Sequence, residues 1–157
     1  MRRFAMGGLV LLALAACQPA EEPLTDSERA EIDTAVRAVF QTMVDGMNED
    51  DAEKILSAYA RDILYTGDGR LQEGWEVFSE DVRTTYAEPP PVPWMHRVEE
   101  IRVKVLSRDY AILMASGASG PEYQYGYSVT DLFQRTPEGW LVIHEHESDT
   151  SPPEDEG

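Results

Sequence analysis

VTDLFQRTPEGWLVIHEHES, residues 129–148, decides how this chain folds. Two runs rich in β-branched and aromatic residues flank Thr136-Pro137-Glu138-Gly139, which reads as a tight turn. A two- or four-residue loop there pairs Arg135 with Trp140 and, continuing, Phe133 with Val142, Asp131 with His144, Val129 with His146 and Tyr127 with Ser148. A three-residue loop would slip this register by one and exchange the two faces. In the expected register one face carries Tyr123, Tyr125, Tyr127, Val129, Asp131 and Phe133 beside Val142, His144 and His146. The other face carries Leu132, Leu141 and Ile143 with Glu145 and Glu147. Charged glutamates do not sit in an enclosed space without partners, so the aromatic–histidine face is expected inward. Leu132, Leu141 and Ile143 then form an outer apolar spot suited to a dimer contact.

Upstream of the hairpin the periodicity changes. Thr25 to Glu28 forms a capping-box pattern. Ile32, Val36, Val39, Phe40, Met43, Val44 and Met47 follow on one helical stripe. Asn48 to Asp51 breaks it and can cap a second helix with Ala52, Ile55, Leu56 and Tyr59 inward. Ile63 to Thr66 reads as a short strand closed by the turn Gly67-Asp68-Gly69. A third helix is expected from about Glu73 to Tyr86, and the proline run at 88–93 ends it. Beyond that the chain reads as strands. Trp94 to Glu100 and Ile101 to Val105 alternate in opposite registers, which a bulge near Glu99 reconciles. Tyr110 to Ala118 is apolar on both faces, as a central strand would be. Helices followed by antiparallel strands make an α+β domain, with helices covering one face of a curved sheet.

The chain has 157 residues, room for one domain, and a formal charge of −17. That sign excludes nucleic acid as a natural partner. MRRFAMGGLVLLALAAC, residues 1–17, has two arginines and then a short apolar run, as a secretory signal does. Its ending, Leu14-Ala15-Ala16-Cys17, resembles the bacterial lipobox, in which the cysteine is lipidated. The resemblance implies a signal peptide over residues 1–16, lipidated Cys17 with a tether over 17–26, a domain over 27–148 and an acidic tail over 149–157. Gln18 after the cysteine implies the outer membrane, facing the periplasm. Cys17 is the only cysteine, so neither an internal disulfide nor a thiolate metal site is available to the domain.

The segments RDILYTGDGRLQEGWEVFSEDVRTTY (61–86), IRVKVLSRDYAILMASG (101–117) and VTDLFQRTPEGWLVIHEHES resemble the SnoaL-like branch of the nuclear transport factor 2-like superfamily. The resemblance covers roughly residues 28–148. It implies a cone: three helices closing a strongly curved antiparallel sheet over a pocket, with dimerisation through the sheet. It implies no cofactor. The activity stays open, because this cone hosts isomerases, polyketide cyclases, dehydratases and non-catalytic modules alike.

His144 and His146 have three readings. As metal ligands they need a third donor, His96 or Asp131. As chemistry, Asp131 orients His144 as an acid–base group beside a tyrosine. As bracing, Asp131 and His144 simply satisfy each other inside a lined pocket. The third needs the fewest assumptions, and no metal site is assigned. Tyr65, Trp75, His96, Tyr125, Tyr127 and His146 are the expected pocket lining. The expected function is binding of a small, partly apolar molecule, or a dimeric accessory role. The alternative is an isomerase- or cyclase-type enzyme using Asp131 and His144.

Overall fold

The computed structural model describes residues 22–150 apart from Asp68 and Pro89. Cys17, the leader, the turn residue Asp68 and the end of the acidic tail lie outside the described residues. Helix α1 spans Asp26–Asn48 and α2 Ala52–Leu56; strands β1 (Tyr59–Gly67) and β2 (Arg70–Glu73) follow, then α3 (Trp75–Thr85). Strands β3 (Met95–Val105), β4 (Tyr110–Gly120), β5 (Tyr125–Thr136) and β6 (Gly139–Thr150) complete the domain. The sheet order is β2-β1-β6-β5-β4-β3. Only β1 and β6 pair in parallel. This is the nuclear transport factor 2-like α+β fold.

Helix α1 starts where its capping box predicts. The Glu28 amide donates to Thr25 Oγ1 at 3.2 Å, and the Thr25 amide donates to Glu28 Oε2 at 2.7 Å. Its stripe Ile32, Val36, Phe40, Met43 and Val44 is buried against the concave face of the sheet. There it meets Leu113, Val129, Phe133 and Val142 in one core. Each side chain of that size contributes roughly 1.5–3 kcal/mol by leaving water. Asp51 caps α2 by accepting from the Lys54 amide at 3.0 Å. That helix ends at Leu56, so Tyr59, expected on its inner face, instead opens β1. Glu73 and Tyr86, expected as the ends of α3, lie just outside it.

The expected bulge in β3 is present: the pairing with β4 shifts between Val98 and Glu100. The turn is also as expected. Thr136 pairs with Gly139 around a two-residue loop, and Gly139 takes φ 129°, a conformation open to glycine. Strand β6 runs on to Thr150, past the expected domain end at Ser148.

The register beyond the turn departs from expectation. Arg135 faces Trp140 and Phe133 faces Val142, but the next pair is Leu132 with His144. Ile143 is an extra residue in β6, a bulge that shifts everything after it. Asp131 therefore faces Glu145, not His144; Thr130 faces His146, Val129 faces Glu147, and Tyr127 faces Asp149. The faces exchange: Glu145 turns into the cone, and the histidines turn out. Strand β1 is irregular at the same level, its pairing with β6 shifting between Tyr59 and Leu64. The kink belongs to the bend of the sheet.

Candidate acid–base site in the cone

The bulge at Ile143 places two carboxyl groups side by side under the helices. Asp131 is fully buried, among the largest such side chains of the core, and Glu145 is 4% exposed. Glu145 Oε2 accepts from the Tyr59 hydroxyl at 2.5 Å. Both oxygens of Asp131 are buried, and among the described residues the Glu145 carboxyl is the group that can share a proton with them. Its cross-strand neighbour Glu145 can donate only as a protonated acid, and the reverse holds for Asp131. Two ionised carboxylates in such a place would cost several kcal/mol each, so the pair holds at least one proton. Burial pushes Asp131 well above the usual carboxylate range, and the charges of Glu145 and Glu147 add to the rise. Burial, with the charge of Glu147, raises Glu145 to about 7. The Tyr59 hydrogen bond opposes that rise. Tyr59 itself is pushed well above its ordinary value, first by burial and then by Glu145.

Glu145 borders two small cavities. An inner chamber of about 20 Å³, room for roughly one water, lies between Phe40, Met43 and Val44 of α1 and Tyr127, Val129 and Glu145 of the sheet. A middle chamber of about 160 Å³ lies between Phe78, Val82 and Tyr86 and, across from them, Tyr59, Tyr65 and Glu145. An outer chamber of about 410 Å³ is walled by Tyr86, Trp94 and His96. Met47 and Glu147 line all three, so the chambers adjoin one another along these two side chains. Glu147 is half-buried, and the Tyr65 hydroxyl donates to it at 3.3 Å.

The other wall groups have identifiable supports. Tyr127 lies flat over Gly117, where a Cβ would fall 2.7 Å from the phenol oxygen and 2.1 Å from the Arg97 carbonyl. Its hydroxyl is buried beside the inner chamber with no partner among the described residues. Burial, with Glu147 and Glu99, pushes its pKa up to about 12. His96 is fixed through its backbone: its amide donates to Asn48 Oδ1 at 2.6 Å, and its carbonyl accepts from Asn48 Nδ2 at 3.0 Å. Burial pushes its imidazole below the ordinary histidine value, so it lines the cavity as the neutral ring.

Of the residues singled out from sequence, Tyr65, His96 and Tyr127 line these chambers, and Asp131 lies behind Glu145 without lining any of them. Trp75 does not: it packs half-buried at the edge of the core with the Arg61 guanidinium 3.9 Å above its ring. Tyr125 stacks on Trp94, centroids 5.2 Å apart, and so supports the outer wall from behind. His144 faces outward beside β1, its Nδ1 donating to the Leu64 carbonyl at 2.9 Å. His146 is exposed on the same outer surface. The expected Asp131–His144 pair is therefore replaced by Asp131–Glu145. Among the described residues, no three histidine, cysteine or acidic side chains converge as a metal site would require. Sequence reasoning missed Glu145, Glu147 and Tyr59. The one signal for them is the unbroken apolar run Leu141-Val142-Ile143, where strand alternation fails and a bulge can enter.

The profile of the family described as SnoaL-like domain matches residues 36–152. Among solved structures, a nuclear transport factor 2-like protein of unknown function from Pseudomonas putida KT2440 superposes with a TM-score of 0.70 at 18% identity, covering 82% of this chain and 93% of that one. A candidate scytalone dehydratase from Novosphingobium aromaticivorans gives 0.69 at 8% identity, covering 81% and 89%. A candidate dehydratase of the same fold from Streptomyces avermitilis gives 0.67 at 14%, covering 78% and 98%. At such identities these likenesses concern the fold alone. No curated protein matches the chain. With the profile spanning most of the domain and the cone as its fold, the chain belongs to the SnoaL-like domain family.

Proposed function

We propose that the cone binds a small, partly apolar molecule and that Glu145 exchanges a proton with it. The observation that carries this is the position of Glu145. It is buried and raised to about 7, yet it lines two chambers, which share Met47 and Glu147 with the outer one. A base that ionises near neutrality and meets its substrate in a dry pocket suits proton transfer next to a carbonyl, or loss of water. Asp131 is the positioning residue behind it, and Tyr59 the donor that orients its carboxylate. The two candidate dehydratases of the same fold are compatible with this chemistry. A binding module is the second reading. The complete burial of Asp131 favours it, because a carboxyl pair can also serve only to brace the hairpin.

Ring opening of 5-nitrobenzisoxazole separates the two readings. A carboxylate in the cone takes the C3 proton, the N–O bond breaks, and the ring opens to a single phenolate that bears a nitrile. The expected rate rises with pH through about 7 and falls on the order of 100-fold in Glu145→Gln. Equal rates in the wild type and the variant would leave the binding module.

The wider setting is also a proposal. The lipobox-like Leu14-Ala15-Ala16-Cys17 supports a lipid anchor, with the domain facing the periplasm from the outer membrane. The outer row Leu64–His144–Leu132–Ile112, flanked by exposed Met114, supports a homodimer through the sheet.

A further inference from the structure

The chemistry of the cavity walls narrows what can enter. Asp50, Asp81, Glu88, Glu145, Glu147 and Asp149 line the three chambers. Among the described residues lining them, Arg70 is the only arginine or lysine, and it is ion-paired with Asp81 at 3.1 Å. His96 is held in its neutral form. Behind the walls the same imbalance continues: among the described residues, fully buried Asp131 meets no cationic donor, only the neighbouring carboxyl of Glu145, which reaches the cavity.

The apolar part of the lining is aromatic where it meets this charge. Trp94, 40% exposed, and Tyr86 wall the outer chamber. Trp94 is held flat by its stack on Tyr125, interplanar angle 15°. Tyr59, Tyr65 and Phe78 wall the middle chamber, with the Phe78 ring 4.7 Å from Tyr59 and 5.7 Å from Tyr65. The wall tyrosines feel the negative field. Tyr86 is pushed up to about 12, by burial first and then by Glu147, Asp50 and Glu145. An anion entering this space meets like charge in a low-dielectric setting. A cation finds carboxylates to neutralise and electron-rich ring faces to lie against.

We propose that the cone takes an organic cation, a protonated amine or quaternary ammonium on a small apolar frame, with its charge beside Glu147 against the aromatic wall of Trp94 and Tyr86 and its frame reaching toward Glu145. This rests on the reading of the cone as a small-molecule site and assigns the charge class of its ligand. The ligand supplies positive charge to this acidic wall. Its apolar frame fits against Ile55, Phe78 and Val82 of the middle chamber.

The test is calorimetric titration of the full chain at low salt with three probes of one shape: choline, the neutral 3,3-dimethyl-1-butanol and the anionic 3,3-dimethylbutanoate. Choline is expected to bind about 10-fold or more tighter than the alcohol, and the carboxylate not at all. Glu147→Gln should weaken choline by about 5-fold or more while changing the alcohol by less than about 2-fold, and Trp94→Ala should weaken choline more than the alcohol. Equal or tighter binding of the alcohol overturns the inference, as does the absence of heat with choline. The 5-nitrobenzisoxazole assay reads the neutral chemistry of Glu145 independently. Activity there without choline binding would remove the cation and keep the site.

Discussion

Asp131 and Glu145 face each other across β5 and β6, one fully buried and the other opening onto the cavity. That pairing ties the stability of the domain to pH in an uncommon direction. Both carboxyls are raised in the folded state, so between the unfolded values and the folded ones the native chain binds more protons than the unfolded chain. Stability from the pair is complete below about pH 4 and is lost as pH rises through the folded value of Glu145, about 7. The expected slope is up to about 1.4 kcal/mol per pH unit for each titrating group. His96, lowered by burial, works in the opposite sense and loses stability as pH falls below its unfolded value. Urea unfolding of the wild type and of Asp131→Asn/Glu145→Gln, from pH 4.5 to 7.5, separates the two because both chains keep His96. The stability difference should move against the wild type as pH rises; a difference independent of pH would mean that the pair does not titrate there.

Tyr59 donates to Glu145 and favours its ionised form. Tyr59→Phe keeps the ring against Phe78 and removes the donor. The Glu145 midpoint, followed by carboxyl carbon NMR, should climb above about 7. A midpoint that falls would show that the hydroxyl is not stabilising the carboxylate.

Ile143 is the extra residue that brings Glu145 and Glu147 to the inner face. Deleting it removes the bulge but keeps Leu132 opposite His144 and Asp131 opposite Glu145, so the glutamates stay inward. The Glu145 midpoint, followed by carboxyl carbon NMR, should therefore stay near about 7 in the deletion variant. A midpoint that returns to the ordinary carboxylate range would disprove the register.

Asn48 ties the end of α1 to the first turn of β3 through two bonds with the His96 backbone. Asn48→Ala should cost about 1–3 kcal/mol. Amide exchange at His96 should accelerate more than at Ile101, further along the same strand. Uniform acceleration along β3 would point to global loosening instead.

The anchor is tested apart from the fold. Cys17→Ser should move the protein from the membrane fraction to the soluble fraction of the cell envelope. Retention in the membrane would remove the lipid anchor from the proposal.

The fold was legible in the sequence because its main signals are local. The capping box at Thr25, the stripe from Ile32 to Met47, the proline run after α3 and the Thr136–Gly139 turn each act over a few residues and appear where expected. The bulge at Glu99 was legible for the same reason, since two alternating runs of opposite phase meet there. Asp131, Tyr65, His96 and Tyr127 precede or avoid the hidden shift and were placed near the cavity. The identity of the inner carboxyls was not legible. It turns on one extra residue in β6, stabilised by the kinked parallel partner β1, eighty positions away at Leu64 and His144. The general objection to a buried glutamate fails here because Tyr59 and a shared proton satisfy it, and Tyr59 reaches it only when β1 docks on β6. Local patterning determined the elements and their order; long-range strand pairing decided which face of the last strand became the site.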